Sequence, residues 1–231
     1  MTSPSAAESP PDPAKHPTDL GSLIELRDDY IKSGPSMMDA LVLRGDYAPE
    51  RWISLRVDLP LVYADRPRMR PAMGIGDVYV RGTARLVASD VSLLAGSDLL
   101  LDTAASAALG GGRNVVGPFA TVSWDLGPGV WVRLQLQEFA SIGGDPRRAP
   151  VSATSVRPYV LVTLPEGYWM MLDQTIRFDH RGPRDFSYAG IVEGGKELSK
   201  EVSVYLDPGI QLDSPFALTW LMTGGIRWVL P

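Results

Sequence analysis

The sequence predicts an all-β protein, an antiparallel up-and-down barrel of about twelve strands that crosses a membrane. Three observations predict it. From Ser22 onward apolar and polar residues alternate with period two, and no comparable helical period occurs. The connections alternate between tight and long, as in barrels with short turns on one rim and longer loops on the other. The polar face is rich in arginine, aspartate, glutamine and aromatics, whereas lysine is nearly absent from the strands.

Turn signals divide the chain into segments at Leu23–Tyr30, Met37–Tyr47, Trp52–Tyr63, Ile75–Ala88, Val91–Asp102, Val115–Leu126, Val130–Ala140, Ser155–Leu164, Tyr168–Asp179, Phe186–Glu197, Glu201–Asp213 and Phe216–Leu230. In the third, Ile53, Leu55, Val57 and Leu59 oppose Trp52, Ser54, Arg56 and Asp58. In the seventh, Val130, Val132, Leu134 and Leu136 oppose Trp131, Arg133, Gln135 and Gln137. The last places Leu218, Trp220, Met222 and Trp228 against Thr219, Thr223, Gly225 and Arg227. Met37–Tyr47 fits either face, so the register of the first two strands stays open. Each segment with its connection takes roughly 17–18 residues, which suits spanning strands of about 9–11 residues with overhangs.

Tight connections fall at Ala48–Glu50, Ser89–Asp90, Gly127–Gly129, Pro165–Gly167 and Leu198–Lys200, and long ones at Ala64–Met73, Thr103–Asn114, Ser141–Thr154 and His180–Asp185. The tight turns are expected on the periplasmic side and the long loops outside the cell. Residues 1–21 read as a proline-rich periplasmic tail, with Pro4, Pro10, Pro11, Pro13 and Pro17 among small and charged residues, too polar to repay the entropy of ordering. That tail is either a spacer or a plug for the barrel mouth. Residues 22–231 form the barrel. No basic start followed by an apolar stretch is present, so either an export signal has been removed or the chain is not exported.

Composition narrows the chemistry. Twenty-two basic and 27 acidic residues give a net charge of −5, the wrong sign for gripping phosphate backbones, so no nucleic-acid partner is expected. There is no cysteine and only His16 and His180, which leaves no cysteine- or histidine-rich metal site and no cofactor is expected. A lipid hydrolase would have to use His180 in the charged stretch Asp179–Arg184; no accompanying serine and asparagine motif is present, so no catalytic residue is assigned.

Two faces then acquire roles. Arg56, Asp58, Asp77, Tyr79, Arg81, Arg85, Trp131, Arg133, Arg157, Tyr159, Asp173, Arg177, Tyr205, Asp207 and Arg227 are expected to line the lumen, with Trp52, Phe119 and Trp169 also inward. Charges in such an interior must be paired or wet. Asp77 has a second reading, as a cap where a strand begins beside glycines. Trp124, Tyr168, Phe178, Trp220 and Trp228 are expected at the lipid girdles; the spacing of Trp220 and Trp228 corresponds to roughly 20–25 Å along the barrel axis.

Four stretches carry a resemblance. Thr223-x-Gly225-x-x-Trp228-x-Leu230 is similar to the C-terminal signal read by the outer-membrane barrel-assembly machinery, with Leu230 where an aromatic is usual and Pro231 after it. Met73–Gly82, containing Gly-Ile-Gly-Asp, resembles a strand opening in the outer-membrane proteins of the "MetA-pathway of phenol degradation" family. Leu55–Pro60 and Asp207–Gln211 are similar to that family as well. The resemblance implies a small barrel in the bacterial outer membrane that passes aromatic or other hydrophobic compounds. Independently, a lumen of arginines and aromatics suits a small aromatic or amphipathic solute through stacking and cation–π contact. The alternatives are a closed structural or adhesion-type barrel with a filled lumen, and a soluble β-sandwich whose apolar face is an internal core.

Overall fold

A computed structural model describes residues 20–181, 186–213 and 217–230. Its strands are β1 Leu23–Ser33, β2 Ser36–Glu50, β3 Ile53–Asp65, β4 Ala72–Ile75, β5 Val78–Val87, β6 Val91–Leu101, β7 Arg113–Asp125, β8 Val130–Gly144, β9 Ser152–Thr163, β10 Tyr168–Asp179, β11 Phe186–Glu197, β12 Val202–Asp213 and β13 Ala217–Val229. Every strand pairs antiparallel with its sequence neighbour, and β13 returns to β1 over Leu23↔Val229 to Ser33↔Thr219, which closes the sheet and leaves no edge. The tail up to Asp19 lies outside the described residues.

Twelve wall positions hold thirteen strands because β4 and β5 share one. β3 pairs with β5 over Ile53↔Ala84 to Asp58↔Tyr79 and with β4 over Leu61↔Ile75 to Ala64↔Ala72. Between these runs Leu59 and Pro60 stand opposite Gly76, Asp77 and Val78, a bulge of one residue. The bulge reverses the alternation, which is why the Gly-Ile-Gly-Asp phrase falls here. A Cβ on Gly76 would lie 2.6 Å from Val62, so only glycine fits.

Alternation sets the two faces as expected. The outer surface carries Leu41, Leu43, Leu55, Leu59, Leu134, Leu136, Met170 and Leu206, all exposed. Such a continuous apolar exterior on a closed barrel is the surface of a membrane-spanning wall. Trp220 and Phe178 stand near the long-loop rim and Trp228 and Tyr168 near the tight-turn rim, all exposed. Trp124 has outward parity between buried Thr121 and Ser123 and the exposed turn. Lys196 donates to the Tyr168 hydroxyl at 2.8 Å and sits over its ring, a rim pairing of an amphipathic cation with a girdle aromatic.

The loops depart from the sequence reading in two places. Half of Ser141–Thr154 is strand, with β8 running to Gly144 and β9 starting at Ser152. The β6–β7 loop turns back onto the inner wall, where Leu109 is buried against Ala40, Val42, Val62 and Ala64. Asp145 donates its backbone N–H to the Gly112 carbonyl at 2.9 Å, and Arg148 donates to the Ala107 carbonyl, so two long loops are tied together at this rim.

Candidate functional site: the lumen

The inner face is a belt of ion pairs. Glu25, Arg27, Asp29, Arg44, Arg56 and Asp58 come from β1, β2 and β3. Arg27 reaches Asp29 at 2.9 Å and Asp58 at 3.2 Å, Arg44 reaches Glu25 at 3.0 Å, and Arg56 reaches Asp58 at 2.7 Å. Further round, Arg81 pairs with Asp98 at 2.6 Å, and Asp98 also accepts from Gln137, which accepts from Gln135. Arg157 binds Asp173 through Nε at 2.8 Å. Arg227 closes the ring, joining Glu25 at 2.7 Å to Glu193 at 3.1 Å, and Glu193 also accepts the Trp169 indole N–H at 2.6 Å. Charges taken out of bulk water are tolerable here because nearly every one has a charge-assisted hydrogen bond.

Aromatic rings share this space. Arg56 and Arg81 lie over Tyr79 at 5.2 and 5.9 Å, Arg81 over Phe119 at 4.7 Å, Arg133 over Tyr159 at 5.4 Å, and Arg227 over Tyr205 at 3.8 Å. Two rings lie over glycines of the next strand. A Cβ on Gly195 would lie 2.0 Å from Trp169, and one on Gly225 would lie 2.6 Å from the Tyr205 hydroxyl. Trp131, Leu161, Trp169 and Tyr205 form a buried cluster.

Between the walls is a cavity of about 500 Å³. Arg56, Tyr79, Arg81, Arg133, Arg157, Tyr159, Asp173, Tyr205, Asp207 and Arg227 line it, with Asp58 and Trp131 buried in the wall behind. Arg177 lies nearer the long-loop rim, over Phe139 at 5.1 Å, and borders a second recess with Asp179 and Asp213. Arg85 sits toward the tight-turn rim, where its N–H meets the Trp52 carbonyl at 2.7 Å.

Two assignments are corrected. Trp52 does not line the cavity; it lies in the turn between β2 and β3, 55% exposed. Asp77 does not face the cavity. Its carboxylate accepts the backbone N–H groups of Thr103 at 3.2 Å, Ala104 at 3.1 Å and Gly111 at 2.6 Å, pinning the inward loop to the bulge. Sequence reading missed Glu25, Arg27, Asp29 and Arg44, because the register of β1 and β2 was open. It also missed Asp98 and Glu193, isolated acids whose cross-strand arginines give them away only once pairing is known.

His180 lies on the outer face at the long-loop rim. Its Nε2 meets Thr154 Oγ1 at 2.7 Å and Glu138 at 3.7 Å. One ring nitrogen thus meets both groups, whereas a relay needs the acid and the nucleophile on opposite nitrogens. In β13, Thr223 donates to Asp29 at 2.9 Å, Gly225 backs Tyr205, Trp228 faces outward, and Leu230 donates its N–H to the Ser22 carbonyl at 2.8 Å.

No family model matches the sequence, and no curated protein matches it. Solved structures do. The COG4313 outer membrane channel from Pseudomonas putida F1 aligns over 98% of this chain and 99% of that one, with a TM-score of 0.71 and 14% identity. The NanC porin aligns over 90% of this chain and 100% of that one, with a TM-score of 0.69 and 10% identity. The CymD monoaromatic hydrocarbon channel aligns over 98% and 94%, with a TM-score of 0.55 and 11% identity. At these identities the likeness is one of fold. The chain is a closed transmembrane β-barrel of the outer-membrane type, and the similar structures include channels of that class.

Proposed function

We propose that the protein is a bacterial outer-membrane channel passing small aromatic or amphipathic solutes through its lumen. The observation that carries this reading is the lumen itself, a cavity within a closed wall where arginines lie over tyrosine and phenylalanine rings at 3.8–5.9 Å. Stacking and cation–π contact along such a surface bind flat solutes weakly at several places, as passage requires. CymD, titled a monoaromatic hydrocarbon channel, has the same fold, which supports the reading by analogy. On this proposal the partners are the lipid bilayer, the assembly machinery reading Thr223, Gly225, Trp228 and Leu230, and the solute. The test is conductance in planar bilayers. Wild-type barrels should pass a salt-dependent current that changes when Arg133 or Arg177 becomes alanine and stays the same in His180→Ala.

A second reading, a closed scaffold, draws on the bridging ion pairs of the belt, such as Arg227 between Glu25 and Glu193. It requires silence in the same recording, so one measurement separates the two.

A further inference from the structure

We infer that the lumen contains a seat for an aromatic carboxylate, with Arg133 as its cation. The inference deepens the channel reading and rests on it for the role of the seat in passage. Six arginines facing the cavity are already neutralised: Arg27, Arg44, Arg56, Arg81, Arg157 and Arg227 each reach a carboxylate. Arg133 reaches none among the described residues. It donates to the Gln135 side-chain carbonyl at 3.3 Å and lies over Tyr159. An amide dipole at that distance does not balance a full charge withdrawn into a confined space.

A second unsatisfied group lies beside it. Ser123 is the cross-strand partner of Arg133 on β7, is 1% exposed, and its hydroxyl has no hydrogen-bond partner. Arg81 and Arg157 line the same cavity but are paired with Asp98 and Asp173, so among the cavity-lining arginines Arg133 is the one left to meet a ligand's charge. The rest of the surroundings select the ligand's body. Tyr159, Phe119 and Leu94 border the cavity, whose volume of about 500 Å³ falls within the range of small-molecule pockets. A guanidinium fork matches a planar carboxylate in two-point contact, and the ring attached to it lies against tyrosine and phenylalanine. A purely hydrophobic solute would leave Arg133 as unbalanced as before.

The test uses folded full-length protein in detergent and equilibrium dialysis with benzoate, benzyl alcohol and benzylammonium as probes. The wild type should bind benzoate saturably and in preference to the other two. Arg133→Gln should weaken benzoate binding more than tenfold while leaving benzyl alcohol binding as it was, and Arg133→Lys should fall between. Benzoate binding that is absent from the wild type, or equal in wild type and Arg133→Gln, overturns the inference. If Arg133→Gln fails to fold, the wild-type ranking decides: benzoate first supports the seat, whereas equal or reversed ranking rejects it. Bilayer current is read separately. A barrel that binds benzoate but passes no current keeps the seat and loses the channel reading; one that conducts without binding benzoate does the reverse.

Discussion

The guanidinium of Arg27 on β1 meets the carboxylate of Asp58 on β3 at 3.2 Å, thirty-one residues away and across the full width of β2. Asp58 also accepts from Arg44 at 3.2 Å and Arg56 at 2.7 Å, so one buried acid, 4% exposed, anchors three cations from three strands. Replacing it with asparagine leaves Arg56 without a carboxylate partner at hydrogen-bond distance. Removing one member of a buried ionic cluster typically costs about 3–5 kcal/mol. Asp58→Asn should therefore lower the urea midpoint of the refolded barrel and the temperature at which its gel mobility shifts on heating. An unchanged midpoint would mean that the belt is wet enough to be screened.

Asp77 holds the inward loop by three backbone N–H groups. Hydrogen bonds to a charged acceptor are worth about 1.5–3 kcal/mol each, and here all three serve one segment. In Asp77→Ala the loop carrying Leu109 should leave the inner wall while the rest of the barrel stays closed. Trypsin should then cut after Arg113 faster than in wild type, with little change in global unfolding. A global loss of stability with the cleavage rate unchanged would show that the bulge, rather than the loop, depends on Asp77.

Much of this was legible because period two leaves few choices where one face is strictly apolar. β3, β8, β12 and β13 declare their faces, and the tight turns before β3, β8 and β12 fix their neighbours. The first strand did not, for a physical reason: Asp28 lies on the outer face, opposite Gly224 and midway between Trp220 and Trp228 on β13. A carboxyl in the apolar band breaks the pattern by which β1 would have been read. The inward fold of the β6–β7 loop was illegible because its anchors, Asp77 and the inner wall of β2 and β3, are remote in sequence from Leu109. The glycine and aromatic pairings across strands likewise need the register before they mean anything.

The two faces can be told apart by one pair of substitutions. Leu136 faces outward, 53% exposed, while its neighbour Gln135 is buried on the inner side. An arginine on the lipid face near the midplane costs about 2–4 kcal/mol, whereas an arginine on a water-facing surface costs little. Leu136→Arg should therefore destabilise the barrel in vesicles by that amount. A neutral result, together with unchanged gel mobility on boiling, would favour a soluble sandwich with the polar face outside.

Asp145 opens the β8–β9 loop. Its carboxylate accepts the Arg147 backbone N–H at 3.0 Å and the Arg147 guanidinium, and these contacts hold it down at about 2. A folded value below that of free aspartate, about 3.9, means that the turn's contribution is complete above about pH 4 and is lost as the pH falls through the folded value. Asp145→Asn should therefore speed tryptic cleavage after Arg147 and Arg148 at neutral pH. The wild-type Arg147 amide should exchange faster only in strong acid. Equal cleavage of both proteins would assign the order of this loop to the backbone bond from Asp145 to Gly112 and the Arg148 contact with Ala107 alone.

Residues 2–18 lie outside the described structure, and their sequence admits a spacer or a plug. Proline restricts the backbone and so lowers the entropy a chain gives up on docking, which makes a proline-rich composition compatible with either use. The chain enters the barrel wall at Leu23, close to the last strand at Val229, so the tail starts at the rim of the tight turns. On the plug reading, removing residues 2–18 should raise single-channel conductance and shorten closures without altering heat-modifiable mobility. On the spacer reading, the same deletion should leave the current as it was and reduce only the yield of assembled barrel. The two readings act on different quantities, open-state current and the amount of folded protein. A single deletion scored for both therefore decides whether the tail belongs to the pore or to its delivery.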